Sequence, residues 1–505
     1  MIRDDCLNNN LSVLIGVRHL CRAGSRSYCV AILILEGIFR VHRLRSQISK
    51  GALCHRGVYA SSKERYDRML YDEPLAAAAD GLRVGRIDLE AYLDELEQRA
   101  DVIEPKIQSL VSEDGRWKRL RKEAAELSDR YSDSTDRPPL YGIPVGVKDV
   151  FHVDGLPTRA GTDVPSEALA GDEAAAVTSL RRAGALVFGK TVTTEFAHFD
   201  PGPTRNPHDL ERTPGGSSSG SAAAVAAGLC PVALGTQTIG SVIRPAAFCG
   251  IVGFKPSYGR ISSEGLIPLS KSVDHVGVFT QDTAGIALIA PVLCEGWRSL
   301  SASIRKPSIG VPDGPYLEQA SDDARNAFES QLDRLQSAGY DVVRLTVFDS
   351  IDEINDRHER LVASDAALDH ELWYDEYGEL YSDETSRLIE DGKKTTAAEI
   401  AKSRRSRIEL RARLAEAMNQ HDLDLWIAPA APGPAPVGIE TTGDPIMNLP
   451  WTHAGLPTIT VPASRTNEGL PLGVQCAGRF GADEDVVRWS HDIADVFSEQ
   501  LYAEV

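Results

Sequence analysis

The chain is predicted to fold as an α/β protein: a central mixed β-sheet covered by helices on both faces, with a helical insertion. Three stretches carry that expectation. Tyr141 to Phe151 and Ala183 to Lys190 read as apolar strands on either side of a helix at Ala174 to Arg182, the strand–helix–strand rhythm of a parallel or mixed sheet. Gly215 to Pro245, GGSSSGSAAAVAAGLCPVALGTQTIGSVIRP, joins a Gly/Ser loop, an alanine-rich helix, an apolar strand and a second serine-bearing turn. Residues 315–425 differ in kind, being long, charged and helical by pattern, and read as an insertion or cap.

Taken in order, residues 1–68 show no strong period and no cap signals. They carry 12 Lys and Arg against 5 Asp and Glu, whereas the remainder carries 42 against 68. The segment is read as a poorly ordered extension, or as sequence upstream of a start at Met69, and residues 69–505 as one domain that holds the helical insertion. From Pro74 the pattern turns helical, with Leu89, Tyr92, Leu93 and Leu96 following Ile87-Asp88 at three- and four-residue spacing. A second charged helix covers Trp117 to Tyr131, and Pro138-Pro139 ends it.

In the Gly/Ser tract, Ser221 to Ala227 are strong helix formers, so the preceding loop sits where a helix N-terminus exposes unpaired N–H groups. A flexible linker of the same composition is not followed at once by a helix and a strand. Gly228 supplies a helix stop and Pro231 follows it. Val232 to Leu234 reads as a short buried strand ending in Gly235. Beyond it, Thr238-Ile239-Gly240-Ser241 is a tight turn whose successive N–H groups can face one point beside a serine hydroxyl, the makings of an oxyanion hole and a nucleophile.

Further strands are expected at Gly250 to Lys255 and Val276 to Phe279. Helices at Ser321 to Ala338 and Thr396 to Asn419 enclose a strand at Tyr340 to Val347. The sheet resumes at Leu423 to Ala428 and Thr458 to Val461, separated by a Pro/Gly-rich loop from Pro429 to Pro445, and a helix from Asp483 to Phe497 closes the chain.

Composition narrows the function. A formal net charge of -19 excludes a general nucleic-acid binder, which needs a basic face to neutralise phosphates. No run of about eighteen apolar residues occurs, so no membrane span is expected. The eight cysteines are scattered without CxxC or Cys/His spacing, which indicates neither a zinc site nor a disulfide framework and fits a reducing cytoplasm.

The residues Gly146-Val147-Lys148-Asp149, Gly189-Lys190-Thr191, Asn206-Pro207, the Gly215 to Gly228 tract, Gly240-Ser241, Asp274-His275-Val276-Gly277 and Gly473-Val474-Gln475 together resemble the amidase signature family, serine hydrolases of amide bonds. The resemblance spans about Pro74 to Phe497 and implies the amidase-signature fold. It implies Ser241 as nucleophile, Ser217 as a bridging serine preceded by a cis peptide bond, and Lys148 as base. A serine hydroxyl needs such a base near neutral pH. A lysine at its free value of about 10.4 is protonated, so the site must hold it neutral by burial. The N–H groups of Thr238, Ile239, Gly240 and Ser241 are the oxyanion-hole candidates. Without the resemblance, Lys148 reads more readily as an ordinary strand-end lysine with its head in solvent. Ser218 and Ser219 read as local hydrogen-bonding residues, and His275, Asn206 and Asp274 as scaffold.

Two positions depart from the usual pattern. The arginine after the nucleophile comes one residue late, at Arg244, and Gln237 stands where an acid is more usual. This resembles the malonamidase-like variant, in which the shifted arginine meets a substrate carboxylate; Arg244 either anchors such a group or pairs with a protein acid. The expected function is a cofactor-free, metal-free amidase of a small, carboxylate-bearing or urea-like amide. Its partners would be that substrate and, in a homodimer, a second copy, with no nucleic acid or membrane. The alternatives are the amidase subunit of a glutamine-dependent tRNA amidotransferase and an inactive scaffold of the same fold.

Overall fold

The computed structural model describes residues 74–299 and 305–501, and the reading of residues 1–68 lies outside the described residues. Helices α1 (Leu75–Arg83), α2 (Leu89–Ile107) and α3 (Arg116–Arg130) come first. Asp88 caps α2, its carboxylate accepting from Ala91 N, and this fixes the helix start that the sequence marks at Ile87-Asp88. Then follow β1 (Pro144–Lys148), α4 (Ala175–Arg182), β2 (Leu186–Thr191), α5 (Ser219–Ala226), β3 (Val232–Gln237), α6 (Ile243–Cys249), β4 (Val252–Lys255), β5 (His275–Thr280) and α7 (Thr283–Leu293). The remainder is β6 (Ile309–Pro312), α8 (Pro315–Glu318), α9 (Asp322–Ser337), β7 (Val342–Leu345), α10 (Ile351–Asp369), α11 (Glu371–Tyr377), α12 (Asp383–Lys393), α13 (Ala397–Gln420), β8 (Leu425–Pro429), α14 (Leu449–His453), β9 (Thr458–Arg465), β10 (Pro471–Ala477) and α15 (Asp483–Leu501).

Among the described residues one ten-stranded sheet runs in the order β2-β1-β3-β5-β4-β9-β10-β8-β6-β7, flanked by helices. Its ends are parallel, β2-β1-β3 and β8-β6-β7, and its middle is antiparallel. The mixed α/β sheet is the one the sequence predicts. Burial explains the uniform apolar reading of the strands: all residues of β1, β2, β3, β4 and β5 are buried, as expected where both faces are covered.

Several elements differ from the sequence reading. β3 runs on to Gln237 instead of ending at Gly235, because antiparallel pairing with β5 continues to Gln237 opposite His275. Helix α6 follows the Thr238 to Ser241 turn, in a segment for which the sequence reading names no element; Pro245 sits in its first turn, where a missing N–H costs nothing. Strands β6 and β10 were not expected. Residues 315–345 supply α9 and β7 to the sheet-bearing part, so the run of helices without a strand is confined to 351–420.

Two glycines matter to the site. Gly228 has φ +68° and terminates α5 as the sequence suggests. At Gly220 an added Cβ would meet the Ser109 carbonyl oxygen at 2.1 Å, so only glycine lets α5 lie this close to the segments beside it. Among the described residues no helix is long and apolar enough to cross a membrane.

Candidate active site

Parallel pairing of β1 with β3 sets Val147 opposite Leu234, so both strands end at the same edge of the sheet, the edge where α/β sheets place their ligands. Lys148 ends β1, Thr236 and Gln237 end β3, and Ser217 enters from the loop before α5. Lys148 Nζ lies 2.8 Å from Ser217 Oγ and 2.7 Å from Thr236 Oγ1. The lysine is fully buried, and no carboxylate stands within ion-pair distance of it among the described residues. Burial pushes its pKa down to about 7, opposed by the more distant charge of Asp274. The peptide bond between Gly216 and Ser217 is cis.

The neighbouring serines are spent on the backbone. Ser218 Oγ donates to Thr236 O at 3.1 Å, and Ser219 Oγ to Val192 O at 3.4 Å. Adjoining Lys148, Asp149 forms a buried ion pair with Lys190 at 2.7 Å, which ties the ends of β1 and β2 together.

Past β3, the segment Thr238 to Ser241 is held from several sides. Gln237 Oε1 accepts from Val242 N at 2.8 Å and Ile243 N at 3.0 Å, and its Nε2 donates to Thr452 Oγ1 at 2.9 Å. An amide does here what an acid could not, since it caps the start of α6 and donates as well. Thr238 Oγ1 donates to Asp274 at 2.6 Å. Asp274 also accepts from Leu269 N and Ser270 N, and burial pushes its pKa up to about 6. Ser241 is 8% exposed. Its hydroxyl makes no hydrogen bond among the described residues, so the structure joins Lys148 to Ser217 without a direct bond from Ser217 to Ser241.

Arg244, on α6, is fully buried. Its Nη2 donates to Gly216 O at 2.6 Å and Thr442 Oγ1 at 3.1 Å, and Nη1 donates to Gly443 O. No carboxylate lies within ion-pair distance among the described residues, and Nε has no hydrogen-bond partner. Burial lowers its pKa to about 9 against the opposing field of Asp444. A pairing of Arg244 with a protein acid is therefore not what the fold provides; the guanidinium meets neutral oxygens one peptide away from Ser217.

His275 Nδ1–H donates to Val273 O, and Asn206 Nδ2 donates to Thr213 O and Phe248 O, both as scaffold. Sequence reasoning missed Thr236, Thr452 and His358. Thr236 is a hydroxyl in an otherwise apolar strand, and that contrast was the available signal. Nothing in the sequence marks Thr452 or His358. Beside Ile239 opens a cavity of about 610 Å³, lined among others by Asp356, Glu359, Arg360, Asp444 and Ile446. Burial and the charges of Asp356 and Asp444 raise the pKa of Glu359. Among the described residues no group of three or more His, Cys, Asp or Glu is placed to hold a metal ion.

Comparison with known proteins identifies the family and the fold. The profile of the family described as Amidase matches residues 90–487. The A subunit of a glutamyl-tRNA(Gln) amidotransferase from Roseiflexus castenholzii is 31% identical over 477 residues, covering 83% of this chain and 94% of the relative. A crystal structure of an amidase superposes with a TM-score of 0.75 at 33% identity, over 83% of this chain and 98% of the other. A chain of a vestigial protein complex, described as revealing the evolutionary origins of an s-triazine catabolic enzyme, gives a TM-score of 0.75 at 26% identity, over 85% and 98%. With the family profile spanning most of its length, the chain belongs to the amidase family of the amidase-signature fold, enzymes acting on carbon–nitrogen bonds.

Proposed function

We propose that the protein hydrolyses the C–N bond of a small amide through a Ser241 acyl-enzyme, with Ser217 and Lys148 as its proton relay. One observation carries this reading: a fully buried lysine, held near neutrality, sits 2.8 Å from the Ser217 hydroxyl with no acid paired to it. A neutral amine accepts a proton, which an ordinary lysine does not.

In the proposed sequence Lys148 takes the proton of Ser217, and Ser217 takes that of Ser241 as Ser241 Oγ attacks the amide carbon. Ser241 and Ser217 must approach for this, as catalytic groups commonly do only with substrate bound. The developing oxyanion is received by backbone N–H groups among Thr238, Ile239, Gly240 and Ser241, where one donor is worth about 3 kcal/mol. The relay then runs backwards to protonate the leaving nitrogen, and ammonia departs. Water, activated by the same base, attacks the acyl carbon and releases the carboxylic acid with Ser241 regenerated.

Arg244 extends the reading to substrate choice. A buried guanidinium without a carboxylate partner, bonded to the Gly216 carbonyl beside Ser217, supports a carboxylate-bearing or compact urea-like amide, which a guanidinium holds in bidentate fashion. The sequence relatives favour a second reading, the A subunit of a glutamyl-tRNA(Gln) amidotransferase, because relatives of that name match at 29% to 31% identity. Both readings share the amide-cleaving step and differ in the acceptor of the ammonia and in the need for partner proteins. Ammonia release by the isolated chain over malonamate, urea derivatives, aliphatic amides, aryl amides and glutamine tests them. Turnover of a small amide without a partner is the expected result. Activity confined to glutamine, and only with partner proteins added, would establish the second reading.

A further inference from the structure

Three successive carbonyl oxygens in the nucleophile turn each accept a hydrogen bond from outside the turn. Thr238 O lies 3.0 Å from His358 Nε2 on α10. Ile239 O accepts from Thr452 Oγ1 on α14 at 2.7 Å, and Gly240 O accepts from Arg244 N at 3.0 Å. The three peptide units are trans, the cis bond at Gly216-Ser217 lying elsewhere. In a planar trans peptide the C=O and the next N–H point in opposite directions. Fixing Thr238 O therefore aims the N–H of Ile239, fixing Ile239 O aims that of Gly240, and fixing Gly240 O aims that of Ser241. Those N–H groups donate to no protein acceptor among the described residues. Each is a donor held in place and left open.

We propose that His358 and Thr452 are positioning residues for oxyanion stabilisation, holding the Thr238-Ile239 and Ile239-Gly240 peptides so that their N–H groups face the reacting carbonyl. The inference rests on Ser241 being the nucleophile. The Gly240 carbonyl needs no side chain, since the first turn of α6 holds it. The two preceding carbonyls lie outside that helix and depend on α10 and α14.

The proton inventory around His358 fixes which nitrogen faces the turn. His358 Nδ1 lies 3.2 Å from His453 Nδ1, and His453 Nε2 lies 2.8 Å from Ser406 Oγ. Burial holds both imidazoles neutral at ordinary pH, pushing His358 down to about 3 and His453 to about 2. With one proton on each ring, a single arrangement makes all three contacts attractive. Thr238 O can only accept, so His358 Nε2–H donates to it; His453 Nδ1–H then donates to His358 Nδ1, and Ser406 Oγ, 2.8 Å from both His453 Nε2 and Ser403 O, turns its one proton to the ring. Any other tautomer sets two lone pairs or two protons against each other. The chain from α13 through α14 and α10 thus ends in a donor aimed at the Thr238 carbonyl.

Glutamine can place an amide N–H where His Nε2–H stands, and leucine cannot, so His358→Gln and His358→Leu form one pair. Thr452→Ser and Thr452→Val form the other. Each variant is assayed for ammonia release with the amide turned over fastest by the parent, and for inhibition by phenylboronic acid, which forms a tetrahedral adduct on an active-site serine. Loss of an oxyanion donor lowers kcat by about 10²-fold or more. His358→Leu and Thr452→Val are expected to lose that much in kcat with KM within about 3-fold, and to bind the boronic acid correspondingly less tightly. Glutamine and serine are expected to restore most of both. Folded Leu and Val variants with parental kcat would overturn the proposal, as would Gln and Ser variants no better than Leu and Val. If His358→Leu does not fold, the isosteric Thr452 pair decides alone. Ser241→Ala, run alongside, separates the premises: undiminished hydrolysis there sinks the assignment of the nucleophile, whereas a dead Ser241→Ala with unaffected Leu and Val variants sinks only the positioning role.

Discussion

Replacing Lys148 by methionine removes a base and a buried amine together, and the two losses show separately in the activity and in the pH dependence of stability. In the folded protein Lys148 titrates at about 7 against an ordinary 10.5. Between those values the unfolded chain holds a proton that the folded chain has lost, so this residue makes stability rise with pH across that window. At 1.36 kcal/mol per pKa unit, its neutralisation costs the folded state about 4 kcal/mol at pH 7, and this cost falls toward zero near pH 10.5. Methionine has no such titration. The variant also strips Ser217 and Thr236 of a partner, a loss of about 1 to 3 kcal/mol for each group left unsatisfied, but that term does not depend on pH. The measurable signature is therefore a slope: urea denaturation of both proteins at pH 7, 8, 9 and 10 should show the parent gaining on the variant by about 1 kcal/mol per pH unit. Other titrating groups are common to both proteins and cancel. Amide hydrolysis by the variant should fall at least about 10³-fold. Parallel stability curves across this pH range would refute a buried, neutralised Lys148.

The same titration governs the rate: kcat/KM should fall about tenfold per pH unit below about pH 7 as Lys148 is protonated, and a flat profile from pH 8 to 5 would exclude it as base. Asp274 is the charge that raises the Lys148 pKa, so Asp274→Asn should move this acid limb to lower pH; a limb that stays or moves upward contradicts the assignment. Thr236→Val removes one of the two hydroxyls on Lys148 Nζ and should lower kcat about 10- to 100-fold with little change in KM, measured by steady-state ammonia release. Arg244→Ala should cost carboxylated amides about 100-fold in kcat/KM, the worth of a buried charge pair, and neutral amides much less. An equal loss for both would leave Arg244 a purely structural group.

How legible this was in the sequence follows the kind of interaction involved. Helix starts such as Asp88 and the Thr396 capping box are local, and a local rule finds them. The mixed sheet was readable because its strands are apolar on both faces. Strands β6 and β10 escaped because they carry Gly and Pro, and only their pairing with β8 and β9 makes them strands. Helix α6 escaped because Pro245 reads as a breaker until its place in the first turn is known. At the site, a motif of long range and fixed order names Lys148, Ser217 and Ser241, and the structure brings the first two within hydrogen-bond distance. Thr236, Thr452 and His358 were not found, since each acts through a contact spanning from 88 to 213 residues of chain. Arg244 was found as a residue, yet its neutral surroundings depend on Gly443 and Thr442, far along the sequence.

The Lys148–Ser217 contact is assembled by β1, β3 and the loop before α5, all within residues 144–237, whereas the nucleophile turn leans on α10 and α14. The proposed relay and the turn therefore answer to different parts of the molecule. Helix α10 also lines the cavity beside Ile239 through Asp356, Glu359 and Arg360, with His358 on the same helix. Remodelling that helix to admit a new amide will leave the basicity of Lys148 nearly untouched while altering how firmly the turn is braced. An engineer who widens this cavity should expect broadened substrate range to arrive with slower turnover, and should look for recovery in second-site changes around Thr452, His453 and Ser406 before touching the serines or the lysine.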